Sequence, residues 1–600
     1  MPQTALKNTT TDSNLPFWDL TDFYKSTQDP QIGEDLTILK TYCLNFSQKY
    51  TNQFSQTQCD SALLAQAICQ IEKIEELMGK LMSYAYLNYA TQVDQPEAQQ
   101  LLQKVQEEIT SLATHLIFFS LDVNTIEASL LEQSYAKTPA LAKYKSWVDT
   151  LRLQRDHQLS SDLEKLMMEK SLTSNSAWVR LYDETLEGIR FDFEDKKLPL
   201  SEILDKLSHK DPIVRKNAAL SLSEGLKSRM PVFTLVTNTL AKDKEIDDTW
   251  RKFPTPVSAK NLNNQIEDEV VEALRIAVKA AYPSLSHRYY AIKAKWLGME
   301  RLEYWDRNSP LPEAPDQNIS WSDAKEIVYR AYHEFSPELA DVGKRFFDND
   351  WIDVPAKAGK RSGAFAHPTV PEYHPYLMLN YQGKLRDVMT LAHELGHGVH
   401  QIMASDQGYL LSQTPLTIAE TASVFGEMLT FRALLKKTES PAQRRSLIAA
   451  KVEDMLNTVV RQIAFFDFEK QVHDQRRKGE LSEDQLGEIW LTTQREALGD
   501  AVNLDGAVTP YWSYISHFIH SPFYVYSYAF GDCLVNSLYS VYQQGHPNFE
   551  TKYLNLLKAG GSKRYPELLA PFGLDAKDPQ FWAQGLKVIT DLIDELEKIG

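Results

Sequence analysis

Two histidines and a glutamate in the middle of the chain have the spacing of a metal-dependent hydrolase. His393 and His397 flank Glu394 in the pattern His-Glu-x-x-His. Four residues are slightly more than one helical turn, so on a helix both imidazoles point the same way. Two neutral imidazoles at that separation suit Zn²⁺, which accepts nitrogen ligands in tetrahedral geometry. Glu394 is rotated about 100° from His393, so we expect it to lean over the open metal position as a general base.

An open zinc site needs a third protein ligand. In one known arrangement a glycine and then a histidine follow the motif at fixed positions. Here His400 occupies the glycine position and Met403 the histidine position, which excludes that arrangement. Glu420, 23 residues after His397, is the candidate because it lies in a run with helical apolar spacing. Glu427 follows two turns later on the same face, where a carboxylate can hydrogen-bond a zinc histidine.

Helix and strand signals surround the motif and predict how it is positioned. Asp387 or Thr390 can cap the motif helix, and apolar residues recur along one face of it. Residues 376–381 form a short apolar run typical of a strand, and Gln382-Gly383 is typical of a turn. Together with residues 363–366 this strand suggests a hairpin beside the metal helix. A sheet edge at that place could pair with an extended peptide by strand addition.

These segments resemble the M3 family of zinc metallopeptidases. The resemblance is carried by His393-Glu-Leu-Gly-His397, Glu420-Thr-Ala-Ser423 and Glu427. It implies that His393, His397 and Glu420 bind one zinc ion per chain and that Glu394 is catalytic. Further segments are similar to the oligoendopeptidase F branch of that family: Phe17-Trp-Asp-Leu20, Arg361-Ser-Gly-Ala-Phe365, Leu379-Asn-Tyr-Gln-Gly383 and Asp387-Val-Met-Thr-Leu-Ala-His393.

The resemblance also implies a fold and a function. The implied fold is mainly α, a two-lobed helical zincin-type metallopeptidase with a small β-sheet beside the zinc helix and a deep central channel. Such a channel would admit short unfolded oligopeptides and exclude folded proteins. The implied activity is therefore a zinc metalloendopeptidase that hydrolyses internal bonds of short oligopeptides.

Histidines and tyrosines cluster at residues 517–528. Water attack on a peptide leaves a negative charge on the carbonyl oxygen, and a hydrogen-bond donor to it is typically worth ~10²–10³ in kcat. The resemblance implies such donors late in the chain, and it favours His517 and Tyr526, with Tyr528 next. Ser521-Pro522 predicts that a helix starts there, on which the tyrosines at 524, 526 and 528 cannot all face one way.

The length of 600 residues predicts more than one lobe. Long amphipathic patterns at 34–50, 61–91 and 97–120 predict an all-helical N-terminal lobe. We place its boundary in the polar stretch 192–197. This gives an N-terminal helical lobe at 1–195 and a catalytic domain at 196–600.

Composition restricts the partners. The net charge of −17 argues against nucleic acid and against an anionic membrane as partners. The resemblance implies oligopeptide substrates as the partners. The four cysteines lack a C-x-x-C pair or a disulfide framework, so we expect reduced thiols. The first ten residues show no apolar leader and no run reaches the length of a membrane span, so cytoplasm is the predicted location.

Two other functions stay open at this stage. A zinc carboxypeptidase would use the same site but needs a cation for the substrate's C-terminal carboxylate, and Arg361 or Lys360 could serve. A non-catalytic metal-containing helical binding protein is the other alternative. It is less favoured because structural zinc sites usually have four protein ligands, whereas this chain offers three beside a glutamate.

Overall fold

Helices account for most of the fold, as the apolar spacing predicts. The computed structural model describes residues 15–311 and 318–599. The helices of its first half are α1 (Pro30–Tyr50), α2 (Ser61–Ala90), α3 (Pro96–Ala113), α4 (Ile117–Thr125), α5 (Ala128–Lys137), α6 (Pro139–Ala142), α7 (Lys145–Arg152), α8 (Ser161–Ser171), α9 (Asn175–Glu187), α10 (Leu200–Lys206), α11 (Pro212–Lys227), α12 (Met230–Trp250), α13 (Ser258–Asn263), α14 (Asp268–Ala281) and α15 (Ser286–Trp296).

The second half continues the helical pattern. Its helices are α16 (Trp321–Phe335), α17 (Pro337–Asp348), α18 (Leu385–Ala404), α19 (Tyr409–Ser412), α20 (Leu416–Ala419), α21 (Thr421–Lys437), α22 (Pro441–Thr458), α23 (Val460–Arg476), α24 (Glu483–Leu498), α25 (His517–His520), α26 (Tyr526–Gln543), α27 (Phe549–Ala559), α28 (Tyr565–Leu569) and α29 (Pro579–Ile599).

Strands are few and short. They are β1 (Phe191–Phe193), β2 (Lys196–Leu198), β3 (Leu302–Glu303), β4 (Ile352–Pro355), β5 (Phe365–His367), β6 (Tyr376–Tyr381) and β7 (Val502–Asn503). The largest sheet among the described residues has the order β4-β6-β5, with β4 parallel and β5 antiparallel to β6. The predicted hairpin beside the motif helix is therefore confirmed, and β5 is an edge strand.

The described residues group into two compact units, and each is assembled from three separate stretches of chain. One unit is drawn from Met1–Arg155, Asp316–Lys437 and Gly545–Gly573, and it contains the motif helix α18. The other is drawn from Asp156–Pro315, Thr438–Gln544 and Leu574–Gly600. The boundary at residue 195 stays a prediction about domains, since these units are defined by packing.

The N-terminal helices fold largely as their patterns predict. α1 and α2 match the predicted stretches 34–50 and 61–91, and they bury Leu39, Phe46 and Ile68 in one apolar core. The predicted stretch 97–120 is divided between α3 and α4, because the chain makes tight turns after Leu112.

Two features bear on the predicted location. All four cysteines are free thiols. Among residues 15–311 and 318–599 no single helix has the length and apolar content of a membrane span, whereas one pair bent by 99°, Pro96–Thr125 with Ala128–Lys137, passes that test. The prediction that the chain has no apolar leader concerns the first ten residues, and these lie outside the described part of the chain.

Candidate metal centre

The motif helix α18 starts at a cap that its own sequence supplies. The Asp387 carboxylate accepts the backbone N–H groups of Lys384, at 3.0 Å, and Gln382, at 2.8 Å. These donors lie just before the helix begins at Leu385, so the predicted cap at Asp387 is confirmed. Thr390, the alternative cap, instead hydrogen-bonds within the helix.

α21 packs directly against α18, and a glycine makes this approach possible. A Cβ at Gly396 would lie 2.6 Å from the Cα of Ser423, closer than real Cβ atoms come. Tyr332 of α16 contacts the same pair of helices, because its hydroxyl donates to the Ala392 carbonyl of α18 at 2.6 Å. The small residue at Gly426 leaves the space that this hydroxyl occupies. The middle of the motif is thus held between two neighbouring helices.

This packing brings the three predicted ligands together. Glu420 Oε2 lies 3.5 Å from His393 Nε2 and 3.4 Å from His397 Nε2. All three ligand atoms lie within 4.8 Å of one another. In the described part of the chain this is the one group of three or more His, Cys, Asp or Glu side chains with such a geometry.

The group fits a zinc ion. Zinc–nitrogen and zinc–oxygen bonds of about 2.0–2.2 Å in a tetrahedron place neighbouring ligand atoms about 3.3–3.6 Å apart. The two Glu420–histidine separations fall in that interval. Two imidazoles and one carboxylate are also the donor set of catalytic zinc sites that keep one position open.

Glu420 reaches the histidines from a junction between helices, which differs from the sequence prediction. The apolar spacing predicts Glu420 inside a helix, whereas the structure places it between α20 and α21. α21 starts directly after Glu420, and its first residues pack against Gly396. The Ser423 hydroxyl then donates to Glu420 Oε2 at 2.6 Å, which orients the carboxylate.

Glu427 lies on the outer side of His393. Its Oε2 is 3.4 Å from His393 Nδ1, the nitrogen that faces away from Glu420. Burial lowers the pKa of His393, but the hydrogen bond to Glu427 and the charges of Glu420 and Glu394 outweigh it and raise that pKa to about 9. Burial instead lowers the pKa of His397 to about 4. The negative charge of Glu420 raises the pKa of both histidines, although burial outweighs it at His397. The carboxylates therefore favour a positive charge between the two rings, and a bound cation would supply it.

Glu394 is placed to exchange a proton. Its side chain is 8% exposed, and burial, reinforced by the charge of Glu420, raises its pKa to about 7 despite the nearby His393. The backbone N–H of Ala366 in β5 donates to its carboxylate. A carboxyl group that titrates near neutral pH can both accept and return a proton in one reaction cycle.

The edge strand β5 passes beside Glu394. In an antiparallel pair the N–H and C=O groups of alternate residues point away from the partner strand. The backbone of Ala366 contacts Glu394, so we expect Ala366 to belong to the outward-facing set and its carbonyl to face the same open edge.

A cavity of about 830 Å³ opens next to His397 in the same unit. Its lining combines the segment after β5, with Tyr373 and His374, and the segment after α18, with Tyr409. His400 also contributes to it, and this histidine is buried with its Nε2 lacking a hydrogen-bond partner among the described residues. A cavity of this size, next to the predicted metal-binding His397, accommodates more than one amino-acid side chain.

Family models match most of the chain. The model described as peptidase family M3 matches residues 207–588, which include the whole metal centre. A second model, described as oligopeptidase F, matches residues 123–191.

The chain belongs to peptidase family M3.

Curated M3 relatives extend the match to the oligoendopeptidase F branch, which confirms the branch predicted from the sequence. Oligopeptidase PepF of Bacillus subtilis is 27% identical over 594 residues, covering 97% of this chain and 87% of its own. An oligoendopeptidase F homolog of Lactococcus lactis is 26% identical, covering 97% of both chains. This M3 protein is therefore a metallopeptidase, as predicted.

Solved structures show the same fold. A protein from Chlamydophila abortus superposes with a TM-score of 0.85 at 24% identity, covering 97% of this chain and 98% of that one. Oligoendopeptidase-F from Enterococcus faecium superposes with a TM-score of 0.70 at 20% identity, covering 95% and 97%. The predicted mainly helical class with small sheets is confirmed.

The remaining predicted M3 site residues lie in the second unit. The Tyr526 ring is fully buried, and its hydroxyl accepts a hydrogen bond from Asn264 at 2.8 Å. His517 Nε2 lies 3.3 Å from the Tyr528 hydroxyl, and Tyr528 is 38% exposed. Their contact with substrate stays a prediction.

The helix predicted to start at Pro522 starts four residues later. Phe523 has a left-handed backbone with φ +59°, which no helix continues through, and α26 begins at Tyr526. The backbone N–H of Phe523 donates to the buried Glu469 carboxylate at 2.8 Å. This long-range contact outweighs the local cap signal at Ser521.

Lys360 and Arg361, considered for a carboxypeptidase, have different surroundings. Lys360 is buried and paired with Asp353, with its Nζ 2.5 Å from the carboxylate, so it cannot receive a substrate carboxylate. Arg361 is exposed, and its guanidinium donates to the Tyr86 hydroxyl at 2.6 Å.

Three other contributors to the centre could not be recognised from the amino-acid sequence. Tyr332, Ala366 and Ala419 act through a distant hydroxyl or through backbone groups, and the Ala419 backbone hydrogen-bonds the ring of His397. Contacts through backbone groups do not depend on the residue type, so a sequence pattern cannot reveal them.

Proposed function

We propose that this chain is a zinc-dependent endopeptidase that cleaves internal bonds of short unfolded oligopeptides. The observation that carries the proposal is the group of His393, His397 and Glu420 with tetrahedral-edge separations, beside a buried Glu394. The names of the relatives, oligopeptidase and oligoendopeptidase, support the substrate class. The charge of −17 and the free thiols support a cytoplasmic protein that acts on peptides, without nucleic-acid or membrane partners.

Different side chains of the centre would bind the metal, orient its ligands and transfer the proton. His393, His397 and Glu420 would hold the ion, and Glu427 would keep the His393 ring in its orientation. When bound, zinc activates the attacking water and polarises the scissile carbonyl. Glu394 would accept the proton of that water and return it to the nitrogen of the leaving amine as the C–N bond breaks.

The substrate would run along β5. An extended peptide can pair with an exposed sheet edge through main-chain hydrogen bonds, which read no particular side chain. The outward carbonyl of Ala366 would accept a peptide N–H close to Glu394. The cavity beside His397 would then receive a side chain near the cleaved bond.

Replacing Glu394 by Gln tests the central step. The Glu394→Gln protein should bind zinc as the wild type does but lose several orders of magnitude in kcat, because an amide cannot accept the water's proton. Zinc content by mass spectrometry and turnover of a fluorogenic peptide measure the two quantities. Glu334→Gln, an exposed change on α16, is the matched control. Wild-type turnover by Glu394→Gln would overturn the mechanism.

Peptides with blocked ends separate an endopeptidase from the carboxypeptidase alternative. An endopeptidase should cut an N-acetylated, C-amidated peptide internally and produce two fragments. Mapping the products of a doubly blocked peptide library by mass spectrometry also reveals the cleavage preference. Cleavage restricted to peptides with a free C-terminus, one residue at a time, would favour the carboxypeptidase.

A further inference from the structure

A second cavity lies in the unit that does not contain the metal centre. It has a volume of about 240 Å³. One wall is α23, with Arg461 and Phe465 one turn apart, and another is α24, with Trp490 and Gln494 one turn apart. Such spacing points both residues of each pair to the same side of their helix.

Two arginines face this cavity without a carboxylate. Arg461 and Arg307 both line it, and within residues 15–311 and 318–599 neither forms an ion pair. Burial, and then the charge of Arg307, lowers the pKa of Arg461, and its polar partner is the Tyr514 hydroxyl. Buried charges are usually paired, so the Arg461 guanidinium, which has a buried Nε and no acidic partner, suits an anion, and the partly exposed Arg307 adds a second positive charge at the same cavity.

Further donors around the cavity also lack partners. Arg461 Nε, Gln494 Nε2 and Trp490 Nε1 are buried, and none has a hydrogen-bond partner in the described part of the chain. Nearly all buried polar groups in native proteins are hydrogen-bonded, so each exception calls for an explanation. The unsatisfied groups named here are all donors, which suits an acceptor-only ligand such as a carboxylate.

Apart from Asn308, the rest of the wall is apolar or aromatic. The ring of Phe465 lies 5.4 Å from that of Trp490, and the Arg461 guanidinium lies 5.0 Å over the Phe465 ring. No aspartate or glutamate belongs to the described lining, so the site offers no carboxylate to an ammonium group. The volume is below the ~300–1,000 Å³ of sites for drug-sized ligands and suits a single amino-acid-sized group.

We propose that this cavity binds a carboxylate attached to one apolar side chain, with Arg461 and Arg307 holding the carboxylate and the aromatic wall holding the side chain. An Arg–carboxylate contact is charge-assisted and well matched in geometry, which favours this anion over a neutral amide. The ligand is either the C-terminal residue of a peptide or a free small acid without an ammonium group. Binding here requires neither zinc nor Glu394.

Direct binding measurements with defined probes test the proposal. N-acetyl-L-phenylalanine carries the carboxylate and the apolar side chain, whereas N-acetyl-L-phenylalaninamide lacks only the charge. Calorimetry with the full-length Glu394→Gln protein, which should not cleave the probes, should show binding of the acid and at least tenfold weaker binding of the amide. L-phenylalanine should also bind more weakly than the acetylated acid, because its ammonium group finds no acidic partner in the described lining and lies near two arginines. Equal binding of acid and amide, or no binding of the acid, would overturn the proposal.

Variants assign the binding to the cavity. Arg461→Gln should weaken binding of the acid at least tenfold, whereas Arg477→Gln, an exposed arginine directly after the same helix, should leave it unchanged. Without ligand the melting temperature of Arg461→Gln should equal or exceed that of the wild type, because a desolvated, repelled charge is removed. If that protein does not fold, Arg307→Gln makes the same test. Unchanged affinity in the folded variant would refute the assignment.

A last comparison distinguishes the two sources of the carboxylate. A pentapeptide that ends in a free phenylalanine should compete with N-acetyl-L-phenylalanine for the cavity if the site takes peptide termini, and its C-amide should not. Competition by the free acid alone identifies a small-molecule site. Both results support the carboxylate chemistry, and because the protein carries Glu394→Gln, neither depends on peptide cleavage.

Discussion

At the scale of single residues, Glu427 controls how firmly the His393 ring is held. Its carboxylate lies 3.4 Å from the ring nitrogen that faces away from Glu420. Loss of such an outer partner typically costs 10–100-fold in metal affinity. We therefore expect Glu427→Ala to weaken zinc binding by roughly that factor, measured by competition with a chelating dye. Glu334→Ala, exposed on α16, should bind zinc like the wild type. Unchanged affinity in Glu427→Ala would show that the ring needs no such support.

Tyr526 and Tyr528 form a natural pair for testing the oxyanion donor. The Tyr526 hydroxyl is buried and already bonded to Asn264, whereas Tyr528 is partly exposed beside His517. If one of them donates to the developing oxyanion, Tyr528→Phe should lower kcat by ~10²–10³ with little change in KM, and Tyr526→Phe should not. Steady-state kinetics with one peptide measures both. A large kcat loss in Tyr526→Phe alone would reverse the assignment.

Single residues also show what the sequence could reveal. His393, Glu394 and His397 were predictable because one helix fixes their relative directions. Glu420 was found from its residue type and the apolar run around it, but its position at a break between helices was not. The partners of Glu394 and His397 from Ala366 and Ala419 depend on backbone groups of distant segments, so local patterns could not predict them.

At the scale of helices and strands, the close approach of α18 and α21 determines the geometry of the centre. Adding a methyl group at Gly396 would press on the backbone of α21 next to Glu420. Gly396→Ala should therefore lower the melting temperature and weaken zinc binding together, since the backbone of α21 must shift. Gly33→Ala in α1 is the contrasting change, because nothing lies within 4 Å of the new group. There the helix should gain about 0.4–1 kcal/mol. Normal zinc affinity in Gly396→Ala would mean that α21 can retreat without moving Glu420.

Glu469 connects α23 to the segment before α26. It accepts the Phe523 N–H with one oxygen, and the other lacks a partner among the described residues. Burial raises its pKa to about 8, although the Phe523 N–H, Lys260 and Lys244 favour the charged form. The folded protein therefore keeps a proton that the unfolded chain releases above its ordinary pKa of 4.5. The free energy of unfolding therefore falls as the pH rises from 4.5 to about 8, by at most about 1.4 kcal/mol per pH unit from this group.

Replacing Glu469 by Gln should remove this pH dependence. Glu469→Gln should show a flatter free energy of unfolding between about pH 5 and pH 8 than the wild type, and higher stability at pH 8. Urea denaturation at a series of pH values measures the free energy of unfolding of both proteins. The difference between them isolates residue 469, because every other titrating group is common to both proteins. Glu480→Gln, an exposed change beyond α23, should follow the wild type. Parallel curves for Glu469→Gln and the wild type would show that this carboxyl is ionised in the folded protein.

The segment around Phe523 also shows why the start of α26 was misplaced. Ser521-Pro522 is a good local helix start, and the prediction followed it. The left-handed φ of Phe523 is held by Glu469, 54 residues away in the chain. The hairpin of β5 and β6, by contrast, was predictable because its signals are local.

At the scale of the whole molecule, the sequence predicted a mainly helical protein but not the way its segments combine. Each unit takes its last segment from the C-terminal part of the chain. The boundary near residue 195 divides the chain by sequence and stays a prediction, whereas the two units are defined by packing and their segments alternate along the chain. Composition and periodicity carry information about residues that are close in sequence. They therefore cannot predict that residues 316–437 and 545–573 pack in the same unit.

This arrangement predicts that the metal centre depends on residues far beyond its last ligand. In α27 the Tyr553 hydroxyl donates to the Thr421 carbonyl at 2.8 Å, and its ring packs 4.5 Å from that of Phe425. Both contacts fix the start of α21, next to Glu420. A chain truncated after Gln544 should therefore lose zinc binding, although it keeps every ligand. A chain truncated after Gly573 is the matched control, because it removes α29 from the other unit and leaves α27 in place. It should be less stable yet still bind zinc. Zinc titration of the two purified proteins decides the matter: full affinity after truncation at Gln544, or complete loss after truncation at Gly573, would show that the centre does not depend on α27 in this way.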